Sequence, residues 1–320
     1  MKGLKKFIEE NWNLEIKKIT EEPSGEASDT YVIKTNKGKF VVKVVKTNTK
    51  FGKKIARNLK KSLKICYELN TSEGIEEISI PVKSKNKNIV EMFGKRPFYL
   101  IQFIEGRYGE ENWNLNKRQS FNFGKLIGRI HKATKKIIHL NPPKENLAQS
   151  YYERQLKKNV DKILLENTST KKLLESVKGE IDYVLRELSI ERNKLKSKTN
   201  LVICQRDLIG ENLIVNRERV FIIDWDGLGL DLKEKDLWFH VFNKSFLRGY
   251  GEGFGKFKLD SSALVFYCCD RLLDDLNEYL EKYLSGNLKD KKRAAEQIRD
   301  YLVVDLKKIR LRIGKFRRLK

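Results

Sequence analysis

In the first hundred residues, apolar and polar positions alternate with the two-residue period of half-buried strands. The clearest case is "TYVIKT" and "KFVVKVV", two such runs joined by "NKG", which favours a hairpin. Between the strand-like runs the apolar spacing changes to that of an amphipathic helix. We therefore predict strands at 30–35, 39–45, 77–82 and 98–104, and helices at 4–12 and 53–69.

Beyond Gly106 the helical period dominates, and only a short stretch near residue 210 again shows strand-like runs. We predict helices at 117–137, 151–167, 170–196, 261–285 and 290–313. The pattern thus predicts an α+β fold in which a small β-rich unit precedes a larger helical one. The change of pattern places the boundary near 102–106, which gives domains at 1–103 and 104–320.

The stretch "ICQRDLIGENLIVNRERVFIIDWDG" (203–227) places polar side chains at the ends of short apolar runs. Asn212 and Asp224 lie at two such ends, and their oxygens are the hard ligands that Mg²⁺ prefers. Asp207, five residues before Asn212, is a candidate to accept the proton of a substrate hydroxyl. Each of these residues alone is equally typical of a turn at a strand end.

Lys43 alternates with valines in a run that is otherwise built for burial. A single lysine on a strand is commonly a solvent-facing residue, so the position alone does not define a site. Upstream, "EEPSGEASDTYVIKT" contains Gly25 and Ser28 among small polar residues before a strand. A loop of this kind can present backbone N–H groups to phosphates, although it has one glycine rather than a series.

A strand lysine, then Asp-x4-Asn, then an aspartate after four apolar residues resembles the protein-kinase-like fold. After Asp226 the chain runs directly into a helical pattern, which leaves no activation segment of the protein-kinase type. The sequence is more similar to the aminoglycoside phosphotransferase and choline kinase superfamily, nearest its spectinomycin phosphotransferase branch. The family motifs are His-Gly-Asp-x4-Asn and Ile-Asp-Trp-Asp/Glu. The similarity covers most of the chain in order, including "YLIQFIEGRYG" (99–109), "GKLIGRIHK" (124–132), "DWDGLGLDLKEKDLWF" (224–239), "FLRGYGEGF" (246–254) and "FYCCDRLLDDLNEYLEKYL" (266–284).

This resemblance implies a bilobal fold that binds ATP (or GTP) with Mg²⁺. It implies that Lys43 holds the α- and β-phosphates and that the backbone from Gln102 to Ile104 binds the adenine edge. Ser28 is a further expected nucleotide contact. His131 matches a family histidine that is normally structural. The resemblance implies these remaining roles: Asp207 is the catalytic base, and Asn212 and Asp224 are the Mg²⁺ ligands.

Three features depart from the family pattern. "CQRD" replaces His-Gly-Asp, so Arg206 stands where glycine normally allows close backbone approach, and it is expected to stabilise ionised Asp207. The helix at 53–69 has a glutamate only at Glu68, near its end, which leaves the acidic partner of Lys43 open. "LIGEN" lacks the histidine of the second motif. Since the base and both metal ligands remain, activity is expected.

The net charge of +24 is high, and the segment "LKKIRLRIGKFRRLK" (306–320) is basic without any acid. One interpretation is a weak contact with RNA or another polyanion through this tail. The alternative is an amphipathic helix whose apolar residues pack down while its basic face is solvated. The start of the chain has no apolar stretch of signal-peptide length and the cysteine spacing suits no disulfide framework, so a cytoplasmic location is expected.

The acceptor is expected to be a small molecule with a hydroxyl group, aminocyclitol-like or sugar-like by resemblance. Family members that modify polycations line their pockets with acids, and the candidates here are Asp226 and three acids on one predicted helix, Asp270, Asp274 and Asp275. Asp270 and Asp274 share a helix face but could equally pair with neighbouring cations. The alternatives are a kinase for an unrelated metabolite or coat component, and a non-catalytic kinase-like protein attached to RNA or an anionic surface.

Overall fold

The computed structural model describes residues 2–22, 27–109, 115–144, 153–166 and 168–319. Gly25 of the predicted phosphate loop lies outside these residues, as do both ends of the helix predicted at 151–167. The strands are β1 (Ile16–Glu21), β2 (Ser28–Thr35), β3 (Gly38–Val45), β4 (Pro81–Val82), β5 (Glu91–Phe93), β6 (Arg96–Gln102), β7 (Arg107–Tyr108), β8 (Val202–Cys204), β9 (Leu213–Asn216), β10 (Arg219–Ile222) and β11 (Gly229–Asp231). The helices are α1 (Lys2–Trp12), α2 (Lys50–Thr71), α3 (Lys117–Ile137), α4 (Glu153–Leu164), α5 (Ser169–Leu195), α6 (Glu234–Leu237), α7 (Lys244–Phe254), α8 (Ser261–Ser285), α9 (Leu288–Gln297) and α10 (Val303–Arg317).

The described chain divides into two compact units. The first comprises residues 1–145 and 201–257, and the second comprises 146–200 and 258–320. The predicted lobe boundary between residues 103 and 104 lies inside the first unit. This boundary remains a prediction, because compactness alone does not identify functional lobes.

An antiparallel sheet with strand order β1-β2-β3-β6-β4 forms the N-terminal part of the first unit, and β5 also pairs with β6. Its two faces follow from the two-residue period of the strands. On one face Val42 and Val44 pack with residues of α1, such as Ile8, in a buried cluster. On the other face Val45 packs with Leu59 of α2. Lys43, on the central strand β3, belongs by alternation to the face that α2 covers.

Glycines allow α3 and α7 to pack closely in the same unit. A Cβ atom on Gly124 would lie 2.0 Å from the carbonyl oxygen of Phe246, and one on Gly253 would lie 2.2 Å from that of Lys125. Such distances are far below van der Waals contact, so larger residues there would push the helices apart. Each helix begins at an asparagine N-cap, Asn116 for α3 and Asn243 for α7. Asn116 also forms a full capping box with Gln119.

The second unit is helical among its described residues, and α5, α8 and α10 form its centre. The apolar side of α10 is fully packed; its buried residues include Leu306, Ile309, Ile313 and Phe316, none more than 1% exposed. Arg317 at the end of α10 forms ion pairs with Glu187 and Glu191 of α5. The tail is therefore part of the core of this unit, as the amphipathic alternative predicts, while Lys307, Lys308 and Lys315 stay exposed.

Two predicted elements differ in part from the structure, and one strand was missed. The segment predicted as a strand at 77–82 forms a strand only at Pro81–Val82, because Glu77 and Ser79 hydrogen-bond to Ile222 of the β9–β10 hairpin. The helix predicted at 290–313 is divided into α9 and α10 by one π-helical turn at Ile298–Leu302. Strand β1 was not predicted, because its sequence IKKITE has little apolar alternation. None of the helices among the described residues has the length and apolar composition that a membrane crossing requires.

Candidate active site

The ammonium group of Lys43 is held by two carboxylates that come from one short segment of the chain. Its Nζ forms an ion pair with Asp224 and lies 3.7 Å from Oδ2 of Asp226. Only 12% of the lysine side chain is exposed. Tyr99, directly opposite Lys43 in the β3–β6 register, donates its hydroxyl hydrogen to Asp226 Oδ2 at 3.0 Å. The central strand and its neighbour thus meet the segment after β10 at one buried cluster of charges.

The electrostatics of this cluster follow from burial and close charges. Burial alone would lower the pKa of Lys43, but Asp224 and Asp226 outweigh it, and the pKa of the lysine is raised. For Asp224, burial opposes ionisation, yet the Lys43 ammonium lowers the pKa of the carboxyl to about 2. For Asp226, burial and the neighbouring Asp224 carboxylate both raise the pKa. At neutral pH, Lys43 is therefore a cation that faces an ionised Asp224.

Asp207 and Asn212 lie together in a tight loop between β8 and β9. The amide nitrogen of Asn212 donates to Oδ2 of Asp207 at 3.0 Å and to its backbone oxygen at 2.7 Å. The loop is further closed by hydrogen bonds from the backbone N–H of Ile209 to the Asp207 carbonyl and from that of Asn212 to the Ile209 carbonyl. Since the Asn212 side chain makes both of these hydrogen bonds through its nitrogen, its carbonyl oxygen is suited to ligate a cation.

Gln205 joins this loop to the segment that carries Asp224. Its Oε1 accepts the backbone N–H of Asp207 at 2.7 Å, and its Nε2 donates to the backbone oxygens of Asp224 at 2.8 Å and Ile223 at 3.3 Å. The residue is 1% exposed. One carboxamide thus sets the separation of the candidate base and the candidate metal ligand. Sequence reasoning missed Gln205, although an amide at the first position of a motif was a signal for a residue that donates and accepts together.

Asp236 fixes the backbone at the start of the same loop. Its two carboxylate oxygens accept the backbone N–H groups of Gln205 and Arg206, each at 2.9 Å. His131 Nε2 lies 3.3 Å from Asp236, and His131 Nδ1 lies 3.0 Å from the Tyr250 hydroxyl. His131, Cys204 and Asp236 are close enough to share a metal ion. Because backbone amides already occupy both oxygens of Asp236, we interpret the group as a structural brace, with His131 as a buried core residue.

Comparison with known proteins identifies the family. The profile of the phosphotransferase enzyme family (APH) matches residues 18–264. The chain belongs to the phosphotransferase enzyme family. This confirms the superfamily predicted from the motifs, and the matched span includes the whole cluster around Lys43, Asp207 and Asp224. Among curated protein sequences, none matches the chain significantly.

Solved structures support the fold. A spectinomycin phosphotransferase crystallised with ADP and spectinomycin is 20% identical, covers 95% of this chain and 96% of its own, and has a TM-score of 0.75. An amicoumacin kinase in complex with AMP-PNP and Ca²⁺ is 16% identical, with 93% of each chain covered and a TM-score of 0.60. A choline kinase from Cryptosporidium parvum is 16% identical, covers 92% of this chain and 91% of its own, and has a TM-score of 0.58. The predicted fold class, a kinase-like β-rich N-terminal part followed by a helical part, is confirmed.

Arg206 departs from the family glycine at a position where the backbone explains the glycine. Its φ of +77° lies in the left-handed region, which costs a residue with a side chain about 1–2 kcal/mol. Its guanidinium turns to β11, where Nη2 donates to the Leu230 carbonyl at 2.9 Å and Nε lies 3.4 Å from Asp231. Gly229 makes room, since a Cβ there would lie 2.4 Å from the guanidinium carbon. These contacts offset the backbone strain and give Arg206 a carboxylate partner in Asp231.

Of the other predicted nucleotide contacts, Gln102 and Ser28 lie on the same sheet and Ile104 follows the end of β6. The backbone N–H of Gln102 already donates to the Ile80 carbonyl at 3.0 Å, so of the two hinge residues Ile104 is the better candidate donor to a base. Ser28, on β2, is 3% exposed, and within the described ranges its hydroxyl oxygen has no hydrogen-bond partner. A buried hydroxyl in this condition is suited to a ligand oxygen, because an unpaired buried polar group is costly. Both nucleotide roles remain predictions.

The acids predicted to bind the acceptor are distributed over both units. Asp226 belongs to the first unit and lies in the Lys43 cluster. Asp270 and Asp274 lie one turn apart on α8 of the second unit, where Asp270 is half-buried and Asp274 exposed. Asp275, beside them, is paired with Arg271 at 2.8 Å. Their contact with an acceptor remains a prediction.

Replacing Gln205 by leucine should lower kcat by roughly 10- to 100-fold and change the KM for Mg²⁺·ATP little, because small misplacements of reacting groups act mainly on the transition state. Steady-state kinetics of ADP formation measures this. Gln205→His is the matched control: it restores one donor and one acceptor, and it is the residue type of the family motif. It should recover most of the turnover. A leucine variant with the kcat of the parent would show that the bridge does not align the site.

Proposed function

We propose that this protein is a small-molecule kinase, which transfers the γ-phosphate of ATP (or GTP) to a hydroxyl group of its acceptor. The observation that carries the proposal is the joining of Asp207, Asn212 and Asp224 into one constellation. Gln205 connects the loops of Asp207 and Asp224, while Lys43 pairs with Asp224. A protein that only binds an anionic surface has no use for this combination.

The side chains present fit Mg²⁺. Asp224 supplies an ionised carboxylate, and Asn212 supplies a carbonyl oxygen whose amide nitrogen is fixed by Asp207. Both are hard oxygen donors, and Mg²⁺ sites of phosphoryl-transfer enzymes use one or two such ligands together with phosphate oxygens and water. When bound, the ion neutralises the negative charge that develops on the transferring phosphoryl group.

The protein residues then have separate tasks. Lys43 holds the α- and β-phosphates with a charge that its carboxylate neighbours maintain. Asp207 accepts the proton of the acceptor hydroxyl as that oxygen bonds to the γ-phosphorus. The bond from the γ-phosphorus to the bridging oxygen breaks, and ADP leaves with the electron pair. Asn212 and Gln205 fix Asp207 from its side chain and its backbone N–H, so the base need not reorganise during the reaction.

For the acceptor, we propose an aminocyclitol-like or sugar-like alcohol. The support is the fold shared with a phosphotransferase crystallised with spectinomycin, together with Asp270 and Asp274 on α8 as candidate partners for a cationic acceptor. A kinase for an unrelated metabolite remains the alternative, and parallel assays with aminocyclitols, amino sugars and neutral sugars distinguish the two. Weak attachment to a polyanion through the tail and a cytoplasmic location stay predictions.

Replacing Asp224 by alanine should abolish the magnesium-dependent part of ATP binding while the protein stays folded, since 38% of the Asp224 side chain is exposed and Asp226 remains beside Lys43. Calorimetric titration of ATP with and without Mg²⁺ measures the effect in both proteins. Glu252→Ala is the matched control, because it removes one carboxylate from the exposed surface of α7 and should leave binding intact. Equal Mg²⁺·ATP affinity in the Asp224 variant and the parent would contradict the metal assignment. Absence of nucleotide binding in the parent would contradict the proposed function.

A further inference from the structure

Helix α2 contributes no carboxylate to Lys43 in the part of the chain that the structure describes. The acids that act on the lysine are Asp224 and Asp226. Glu68, the only glutamate on α2, lies in its last turn and accepts a hydrogen bond from Ser72 at 2.7 Å. Ser62, fully buried on the same helix, donates to the Leu228 carbonyl at 3.3 Å. The helix therefore contacts the segment after Asp226 through a neutral group.

Asp226 is held where it can take over the role of a helix acid. It is 6% exposed, and the Tyr99 hydroxyl donates to the same oxygen, Oδ2, that lies 3.7 Å from Lys43 Nζ. Tyr99 is 2% exposed and lies directly across the sheet from Lys43. Residues paired across antiparallel strands have Cβ atoms about 4.5–5.5 Å apart and project from the same face. Tyrosine and lysine thus reach Asp226 from adjacent positions on a rigid sheet.

The buried charge of Lys43 requires a carboxylate in addition to Asp224. A buried ammonium group needs compensation, and loss of one partner of a buried pair is strongly destabilising. If Asp224 is the metal ligand, its charge is shared with the ion, and Asp226 is the second acid within ion-pair distance of Lys43, at 3.7 Å. Tyr99 donates a hydrogen bond to the oxygen of Asp226 that faces the lysine and so keeps that oxygen in place. Because the tyrosine is neutral, it adds no second positive charge that would pair with Asp226.

We propose that Asp226 and Tyr99 are positioning residues that anchor Lys43, in place of an acid on α2; this inference rests on the proposed function for its catalytic consequence. It gives Asp226 a role inside the nucleotide half of the site rather than in acceptor binding. It also means that the charge partners of Lys43 come from the segment that carries Asp224 and not from α2.

The test is a double-mutant cycle of Lys43→Met and Asp226→Asn, measured by urea unfolding without nucleotide. If the two side chains are partners, their effects on the unfolding equilibrium should be non-additive by roughly 5- to 30-fold. Effects that add within about 2-fold would overturn the proposal. This measurement needs no catalysis, so it decides the anchoring even if the parent proves not to be a kinase.

The second measurement is ATP turnover at saturating Mg²⁺·ATP in the same four proteins. Asp226→Asn should lower kcat at least about 10-fold in the parent and less than about 2-fold in the Lys43→Met background, because it acts through the lysine. An equal loss in both backgrounds, or a change confined to the KM of the acceptor, would overturn the proposal. A parent without turnover would contradict the proposed function alone.

Tyr99→Phe provides a variant that keeps the ring in the core and both charges in place. It should be non-additive with Asp226→Asn in the same unfolding assay, and it guards against a Lys43 variant that fails to fold. Tyr31→Phe, on the neighbouring strand β2, is the matched control and should be additive with Asp226→Asn. Additivity of Tyr99→Phe would remove the tyrosine from the proposal.

Discussion

Replacing Asp207 by asparagine should lower the rate of phosphoryl transfer by roughly 10²- to 10⁴-fold, the range that positioned general bases contribute. Asparagine retains the shape of the side chain and an oxygen that can accept the hydrogen bond from Asn212, which Asp207 Oδ2 accepts at 3.0 Å. It cannot take up the proton of the acceptor. Nucleotide affinity should stay nearly unchanged, because the variant leaves in place Lys43, Asn212 and Asp224, the groups that we propose to hold the phosphates and Mg²⁺. The rate of ADP formation and calorimetric Mg²⁺·ATP affinity measure the two effects.

A matched control lies in the same loop. Glu211 is an exposed acid in the short turn next to Asn212, and Glu211→Gln removes the same charge without touching the hydrogen bonds of Asp207. Its turnover should equal that of the parent. If Asp207→Asn turned over acceptor at nearly the parental rate, another group would have to be the base. A fall in nucleotide affinity equal to the fall in rate would show that Asp207 serves binding instead.

Much of the fold could be predicted because long amphipathic helices carry their own signal. The predicted bounds 117–137 and 261–285 agree with α3 and α8, whose spacing of apolar residues is regular over five turns or more. The hairpin around "NKG" was predicted for the same reason and is formed by β2 and β3. Periodicity reports which face of an element is buried, and where one face is buried throughout, the sequence carries enough information.

The errors arise where partners distant in sequence decide the structure. The residues at 77–82 have strand-like alternation, yet Ile78 bridges to Ile222 and Pro81 pairs with β6, so the run is divided between two sheets. The sequence of 290–313 continues its helical spacing through the π turn at Ile298–Leu302 that separates α9 from α10. Neither event has a local signal, because both depend on what packs against the segment.

In the candidate site, too, the residue types could be predicted from the sequence and the contacts between distant residues could not. Asp207, Asn212 and Asp224 could be selected from spacing and residue type, since strand ends that carry oxygen ligands are visible in one segment. The pairing of Lys43 with Asp224 joins positions 181 residues apart, so it depends on tertiary packing that residue spacing does not report. The bridging role of Gln205 depends on backbone atoms, which spacing does not report.

Truncation after Asp305 should unfold the second unit rather than merely remove charge. It deletes four side chains that are at most 1% exposed, Leu306, Ile309, Ile313 and Phe316. At roughly 1.5–3 kcal/mol for each fully buried apolar side chain, the loss is roughly 6–12 kcal/mol. Domains of ordinary size have a total stability of about 5–15 kcal/mol, so the second unit would keep little or none. The loss of the ion pairs of Arg317 with Glu187 and Glu191 acts in the same direction.

The charge of the tail can be tested apart from its packing. Lys307, Lys308 and Lys315 are exposed on α10, and replacing all three by glutamine removes three positive charges while the buried face stays intact. The triple variant should unfold at the same urea midpoint as the parent, whereas the truncated chain should lack the cooperative transition of the second unit by circular dichroism. If the truncated chain unfolded like the parent, the packing of α10 would contribute no stability. RNA affinity of the parent and the triple variant, measured over a series of salt concentrations, then tests polyanion contact in a protein that is still folded. Each phosphate contact that the variant has lost should reduce the salt dependence of its affinity.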